Sequence, residues 1–211
     1  MQLFVNRVIK YLILSDLIFY MGWGLLTPVF AIFIIEKING GTPLVVGIAT
    51  SIYWIVISVL RIPFGIFLDK RAGERDDYAF MVSGLLLGAI IPFGYLYSTW
   101  PWQLYFLQAV YALGMAMSLA GWSAIFTRKI DKGREATEWS LSATGYSLGT
   151  GIAGVVGGYT VGRFGFEPVF MAVGILGIVG VLLLLVVRQD ILKTPRTISS
   201  QYFNWKEIFN R

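Results

Sequence analysis

Only two charged side chains fall deep inside the long apolar runs of this 211-residue sequence, Asp16 and Arg61. A charge in apolar surroundings is costly and usually marks a solute or ion path, a proton relay or a counter-charge. Asp16 also opens a helical face, Asp16, Tyr20, Trp23, Thr27 and Phe30, at steps of three or four. A second face follows the same spacing through Gln108, Tyr111, Met115, Ser118 and Trp122. Such steps place side chains on one side of a helix. Each face mixes rings with neutral polar groups, which suits either packing between helices or the holding of a neutral or amphipathic solute. Catalysis is a poor reading. The chain has no histidine and no cysteine, so disulfides, thiolate nucleophiles, His-based metal sites and imidazole acid–base chemistry are absent. One deep acid makes no catalytic constellation, and no enzyme activity, catalytic residue, metal or cofactor is expected.

The helices that carry these faces belong in lipid. Of the residues, 56% are hydrophobic and 14% charged, against about 25% charged in a soluble domain. Six apolar stretches approach the roughly 20 residues a spanning helix needs: 8–35, 43–68, 78–97, 102–126, 139–161 and 168–187. The first is too long for a signal-peptide core and lacks a small-residue cleavage site. The expected fold is an all-α membrane protein of six transmembrane helices, one domain over 1–188, with a tail at 189–211. Tyr202, Phe203, Trp205, Ile208 and Phe209 in that tail suit a short interfacial helix.

Charge gives the orientation. Fourteen of the seventeen basic residues flank one set of helix ends. Lys37 and Arg163 lie on the other side, and Arg61 lies within a helix. The positive-inside rule then places both termini in the cytoplasm, with the chain in the cytoplasmic (cell) membrane. The net charge of +5 is accounted for without nucleic acid. Loop 128–135 mixes signs and is expected to face anionic membrane lipid. Asp16 and Arg61 both lie roughly 12 Å in from this side, at 1.5 Å per residue. They stand on consecutive antiparallel helices, so an ion pair between them is geometrically open. It would be either static or rearranged when a solute or proton binds.

The first three helices resemble the last three. Gly22 and Lys37 recur as Gly114 and Lys129, Gly65 and Lys70 as Gly158 and Arg163, and Gly84 and Leu86 as Gly174 and Leu176. An odd number of helices per unit makes the units, about 8–98 and 102–188, inverted repeats, a device of transporters.

These features are similar to those of the major facilitator superfamily of secondary transporters, as one half of that fold. The strongest element is the loop motif Gly65, Asp69, Lys70, Arg71, Gly73 and Arg75. The glycine at 73 comes one position later than in the family pattern, and Glu74 interrupts the basic run. A second element is the glycine-rich fifth helix, with Gly145, Gly149, Gly154, Gly157 and Gly158. Gly154 replaces the usual proline there. In the fourth helix, Leu107 and Gly114 fit the family motif, whereas Val110 stands where it has arginine.

The resemblance implies that helices 1 and 4 line a central cavity. Its expected residues are Tyr20, Trp23, Thr27, Gln108, Tyr111, Met115, Ser118 and Trp122. It implies that the loop motif gates the cytoplasmic side, Asp69 facing the start of a helix in the other half. The family has twelve helices, so the expectation is a parallel homodimer, or a heterodimer with a similar half, moving a small-molecule solute. A sensor or assembly module derived from the same fold is the alternative.

Overall fold

The computed structural model describes residues 5–71 and 74–193. Gly73 and the tail from 194, with its expected interfacial helix, lie outside the described residues. Among the described residues the chain forms eight helices: α1 (Arg7–Leu26), α2 (Phe30–Lys37), α3 (Pro43–Asp69), α4 (Glu74–Leu96), α5 (Pro101–Lys129), α6 (Glu135–Phe164), α7 (Glu167–Val186) and α8 (Arg188–Leu192).

Local chemistry sets the boundaries. Asn6 caps α1 by accepting the Ile9 N–H at 3.0 Å. Thr42 caps α3, with Pro43 in its first turn. Gln103 Oε1 accepts the N–H groups of Thr99 and Trp100 at 2.7 and 2.9 Å, closing the start of α5. Gly165, at φ 80°, ends α6 in the left-handed region that favours glycine.

The expected continuous helix over 8–35 is instead two helices. Pro28 has no N–H, and its ring excludes a carbonyl four residues back. The Thr27 N–H and hydroxyl both bond Trp23 O, at 2.9 and 2.8 Å, so α1 ends there.

Five helices, α1, α3, α4, α5 and α7, are long and apolar enough to cross a membrane. The 30-residue α6 is long enough, but its serines, threonines and glycines leave it less apolar.

α1 packs on α6 and α7, α3 on α5, and α4 on α5 and α7. Small residues let these backbones approach. A Cβ at Gly22 would meet Val173 O of α7 at 3.2 Å, and one at Gly114 would meet Leu87 of α4 at 2.9 Å. Phe19, Tyr95, Phe126 and Phe170 fill the interior. Two helices stand apart. Only 17% of the apolar window of α3 is buried, against 39–56% in the other four apolar helices. In α6 only Glu138, Gly149, Ala153 and Gly157 are buried. Trp54, Ile55, Val59 and Ile62 of α3, and Leu148, Ile152, Val155 and Tyr159 of α6, lie exposed.

Candidate functional site

Four helices, α1, α3, α5 and α6, line an open cavity of about 430 Å³. Asp16 and Tyr20 come from α1, and Tyr53, Trp54, Ile57, Ser58 and Arg61 from α3. Leu119 and Trp122 come from α5, and Trp139, Ser142, Ala143 and Tyr146 from α6. The α3 set recurs every three or four residues, as does the α6 set, so each helix turns one face inward. The Tyr20 and Tyr146 rings meet edge to face, centroids 4.8 Å apart, across α1 and α6. Trp122 and Trp139 meet at 5.7 Å across α5 and α6.

A second cavity of about 210 Å³ lies further along the same cleft. Its walls are Trp23, Leu26, Thr27, Phe30, Thr50, Tyr53, Gln108 and Tyr111. Tyr53 lines both cavities. It stacks on Tyr111, which stacks on Trp23. Tyr53 of α3 is the ring the two spaces share, backed by Tyr111 of α5 and Trp23 of α1.

The residues expected from sequence divide among several places. Tyr20 and Trp122 line the larger cavity; Trp23, Thr27, Gln108 and Tyr111 line the smaller. Met115 and Ser118 line neither. Both are buried on the side of α5 that packs on α4, near Gly88 and Gly84. The α3 and α6 walls were not in the expected set, although Thr50, Tyr53, Trp54, Ile57, Ser58 and Arg61, and Trp139, Ser142 and Tyr146, carry the same helical spacing that exposed the α1 and α5 faces.

The ion pair open to Asp16 and Arg61 is not made. Both line the larger cavity, and no salt bridge joins them. The reason is packing. The first two long helices in sequence, α1 and α3, are held mainly by different partners, α6 and α7 for one and α5 for the other.

The helix-6 glycines serve two faces. Gly149 and Gly157 pack closely on α1, at Leu17, Met21 and Leu25, and Gly145 lies 3.9 Å or more from Ile13 and Leu17. Gly154 makes ordinary contact with Gly24 and Pro28, and Gly158 faces open space. Gly65 likewise meets no atom within 4 Å of an added Cβ. Asp69, Lys70, Arg71 and Arg75 are exposed. Arg71 pairs with Asp76 at 3.4 Å and lies over the Phe67 ring.

A buried charge cluster joins the basic helix ends. Arg128, in the last turn of α5, contacts Asp77 and reaches Glu74 at 3.5 Å, both in the first turn of α4. Lys129 Nζ lies 3.3 Å from Glu74. Acids at a helix start and bases at a helix end also match the helix dipoles. Asn6 Nδ2 donates to Lys129 O at 2.7 Å and to Asp131 at 3.1 Å. The Asp131 N–H donates to Glu138 at 3.3 Å. The hydrogen bond from Asn6 holds the Asp131 carboxyl below its usual range, and burial pushes that of Glu138 up.

The Major Facilitator Superfamily profile matches residues 12–211. The chain belongs to the major facilitator superfamily. It is therefore a multi-pass membrane protein of a secondary-transporter family, which is non-enzymatic. Among solved structures, the fold matches a peptide transporter POT crystallised with sulfate, at 17% identity and TM-score 0.76, over 99% of this chain and 43% of that one. It also matches the POT family transporter PepTSo, at 14% identity and TM-score 0.71, over 94% of this chain and 40% of that one. At these identities the likeness concerns the fold alone. The chain spans less than half the length of these superfamily members. No curated protein matches it.

Proposed function

We propose that the chain is one half of a secondary transporter. Two such halves pair in parallel and carry a small neutral or amphipathic solute by alternating access. The observation that carries this reading is the cleft between α1, α3, α5 and α6, whose walls α3 and α6 also present unpartnered apolar faces. Large exposed apolar patches mark interaction surfaces or lipid contact. A second half seated on these two helices would complete the cavity walls. A homodimer meets this requirement; a similar half from another chain would meet it too.

In this reading α6 also crosses, as the fifth of six crossings in chain order. Both termini lie in the cytoplasm, because fourteen basic residues flank that side. The helix contacts support an inverted repeat. Exchanging the first crossing for the fourth, the second for the fifth and the third for the sixth maps the most extensive helix pairs onto one another. The pair α1 with α6 becomes α5 with α3, and α1 with α7 becomes α5 with α4, all packed pairs. Gly22 and Gly114 sit at these equivalent contacts. Two related packings of one unit are what alternating access uses. The exposed Asp69 loop would latch the cytoplasmic side against the start of the partner's α6 helix, where a helix dipole favours a carboxylate.

The test uses the absence of native cysteine. Single cysteines at Ile55 and Gly158 in separate copies should crosslink between chains in the bilayer, and vesicles holding the pair should accumulate a solute. Exclusive monomers with no crosslink would overturn the homodimer. A crosslinked pair that transports nothing would favour the sensor or assembly role.

A further inference from the structure

We infer that the larger cavity takes a small zwitterion, with its cationic group at Asp16, its anionic group at Arg61 and an apolar or aromatic body between them. This rests on the reading of that cavity as the solute site, and it narrows the solute class.

Among the described residues, Asp16 and Arg61 are the only charged side chains lining the cavity. Among the described residues, neither makes a salt bridge or a side-chain hydrogen bond. A charge held at membrane depth without a partner is unfavourable; a counter-charge offsets it, or a carboxyl takes up a proton until one arrives. The two cannot simply be helix-packing partners, because α1 and α3 are not packed on one another. With Asp16 ionised, the lining carries one negative and one positive group, separated and with a net charge of zero. A cationic solute would satisfy Asp16 and leave Arg61 facing a like charge. An anionic solute would do the reverse, and an uncharged one would leave both unpaired. Only a solute with both charges answers both walls.

The remaining surface fits such a body. Tyr20, Tyr146 and Trp139 offer rings for a cationic head or an apolar side chain. The Trp122 indole N–H is buried without an acceptor, a spare donor in the wall. At about 430 Å³ the space is within the range of small-molecule pockets, roughly 300–1,000 Å³. Depth gives the orientation. Asp16 lies ten residues past the Asn6 cap and Arg61 eight before Asp69, so both are on the order of 12–15 Å from the same end. The solute would lie across the cleft, not along it.

The experiment compares four probes on one body: phenylalanine, its amide, its N-acetyl derivative and its N-acetyl amide. They are zwitterion, cation, anion and neutral, and the same set on leucine controls for the shape of the body. Binding to the full chain in lipid nanodiscs is followed by tryptophan fluorescence and thermal shift. The zwitterion of at least one body should bind about tenfold or more tighter than either singly charged form, as two charge-assisted contacts require. Asp16→Asn should weaken the zwitterion, relieve the repulsion of the anion and bring the two to one level. Arg61→Gln should reduce it to the level of the cation, and Asp16→Glu should restore part of the preference. The wild-type ranking stands even if a variant fails to fold. A flat ranking, or a zwitterion preference that survives both substitutions, overturns the inference. Tightest binding of a neutral probe also overturns it, while leaving the cavity a solute site. No saturable binding of any probe to folded protein removes the zwitterion and the solute-cavity reading together.

Discussion

Trp23 and Tyr111 stack nearly face to face, their centroids 4.0 Å apart and their planes 17° from parallel. Tyr53 adds a third ring, 4.9 Å from Tyr111 and at 20°. The contact ties α1, α3 and α5 together where the two cavities meet. Tyr111→Ala would remove both stacks and leave Tyr53, the ring the two spaces share, unbraced, with a stability loss of about 3–5 kcal/mol. Tyr111→Phe keeps the rings and should cost about 1 kcal/mol or less. A lone cysteine at Thr27, in the smaller cavity, reports the change. Labelling from the basic side should rise with Tyr111→Ala and stay low with Tyr111→Phe. Equal labelling of both would show that the stack is no partition.

Arg128 is the keystone of the buried cluster, since it serves two carboxylates whose side chains are 2% and 0% exposed, Glu74 and Asp77. Removing one partner of a buried pair leaves the others uncompensated, at a cost of about 3–5 kcal/mol. Arg128→Ala should approach that loss, and Lys129→Ala should cost less because Glu74 keeps Arg128. A triple variant that also carries Glu74→Gln and Asp77→Asn should recover much of the stability. Strictly additive losses in thermal unfolding would show that the charges do not depend on one another.

Glu138 sits in the first turn of α6, ahead of the apolar span 139–161, with its carboxyl raised by burial. A raised carboxyl favours the protonated folded state, so its contribution is present at low pH. That contribution is lost as pH rises through the folded value, in a window that opens near the ordinary glutamate value of about 4.3. Asp131 runs oppositely. Its depressed carboxyl stabilises the fold at neutral pH and loses that effect in acid. Glu138→Gln should therefore raise the melting temperature at pH 7 and change it little at pH 4, with the Asp131 N–H contact kept. A variant less stable than wild type at pH 7 would place the burden on the charge itself.

Gly157 and Gly158 are adjacent but face different surroundings. A Cβ at Gly157 would overlap Leu25 O of α1, whereas one at Gly158 meets nothing within 4 Å. Gly157→Ala should separate α1 from α6 and lower stability by roughly 1–3 kcal/mol, as overpacking does. Gly158→Ala should leave the thermal stability of a single chain within about 0.5 kcal/mol. If two halves pair through α6, the larger Gly158→Leu should weaken pairing in crosslinking or light scattering while each chain stays folded. Equal destabilisation by both alanines would contradict the assignment of the two faces.

Much of this protein was written locally. Apart from the run 8–35, which Pro28 divides, the apolar runs marked its long helices to within a few residues, because an apolar stretch of about 20 residues has one stable form in lipid. The loop motif and the glycine-rich helix carried the family. The faces through Asp16 and Gln108 were legible because helical periodicity projects one row of side chains to one side.

Partnership was not legible. Sequence order made α1 and α3 neighbours, so an Asp16–Arg61 pair was open; tertiary packing seated α1 on α6 and α7 and left a cavity between the two charges. Met115 and Ser118 share the polar face of α5, yet the close approach of Gly84 and Gly88 turned that stretch toward α4. The α3 and α6 walls became visible only once both helices flanked the cleft. Helix periodicity is a short-range property of the backbone, readable residue by residue. Which helix lies opposite which is decided by small-residue contacts between segments far apart in sequence, and those exist only in the folded bundle.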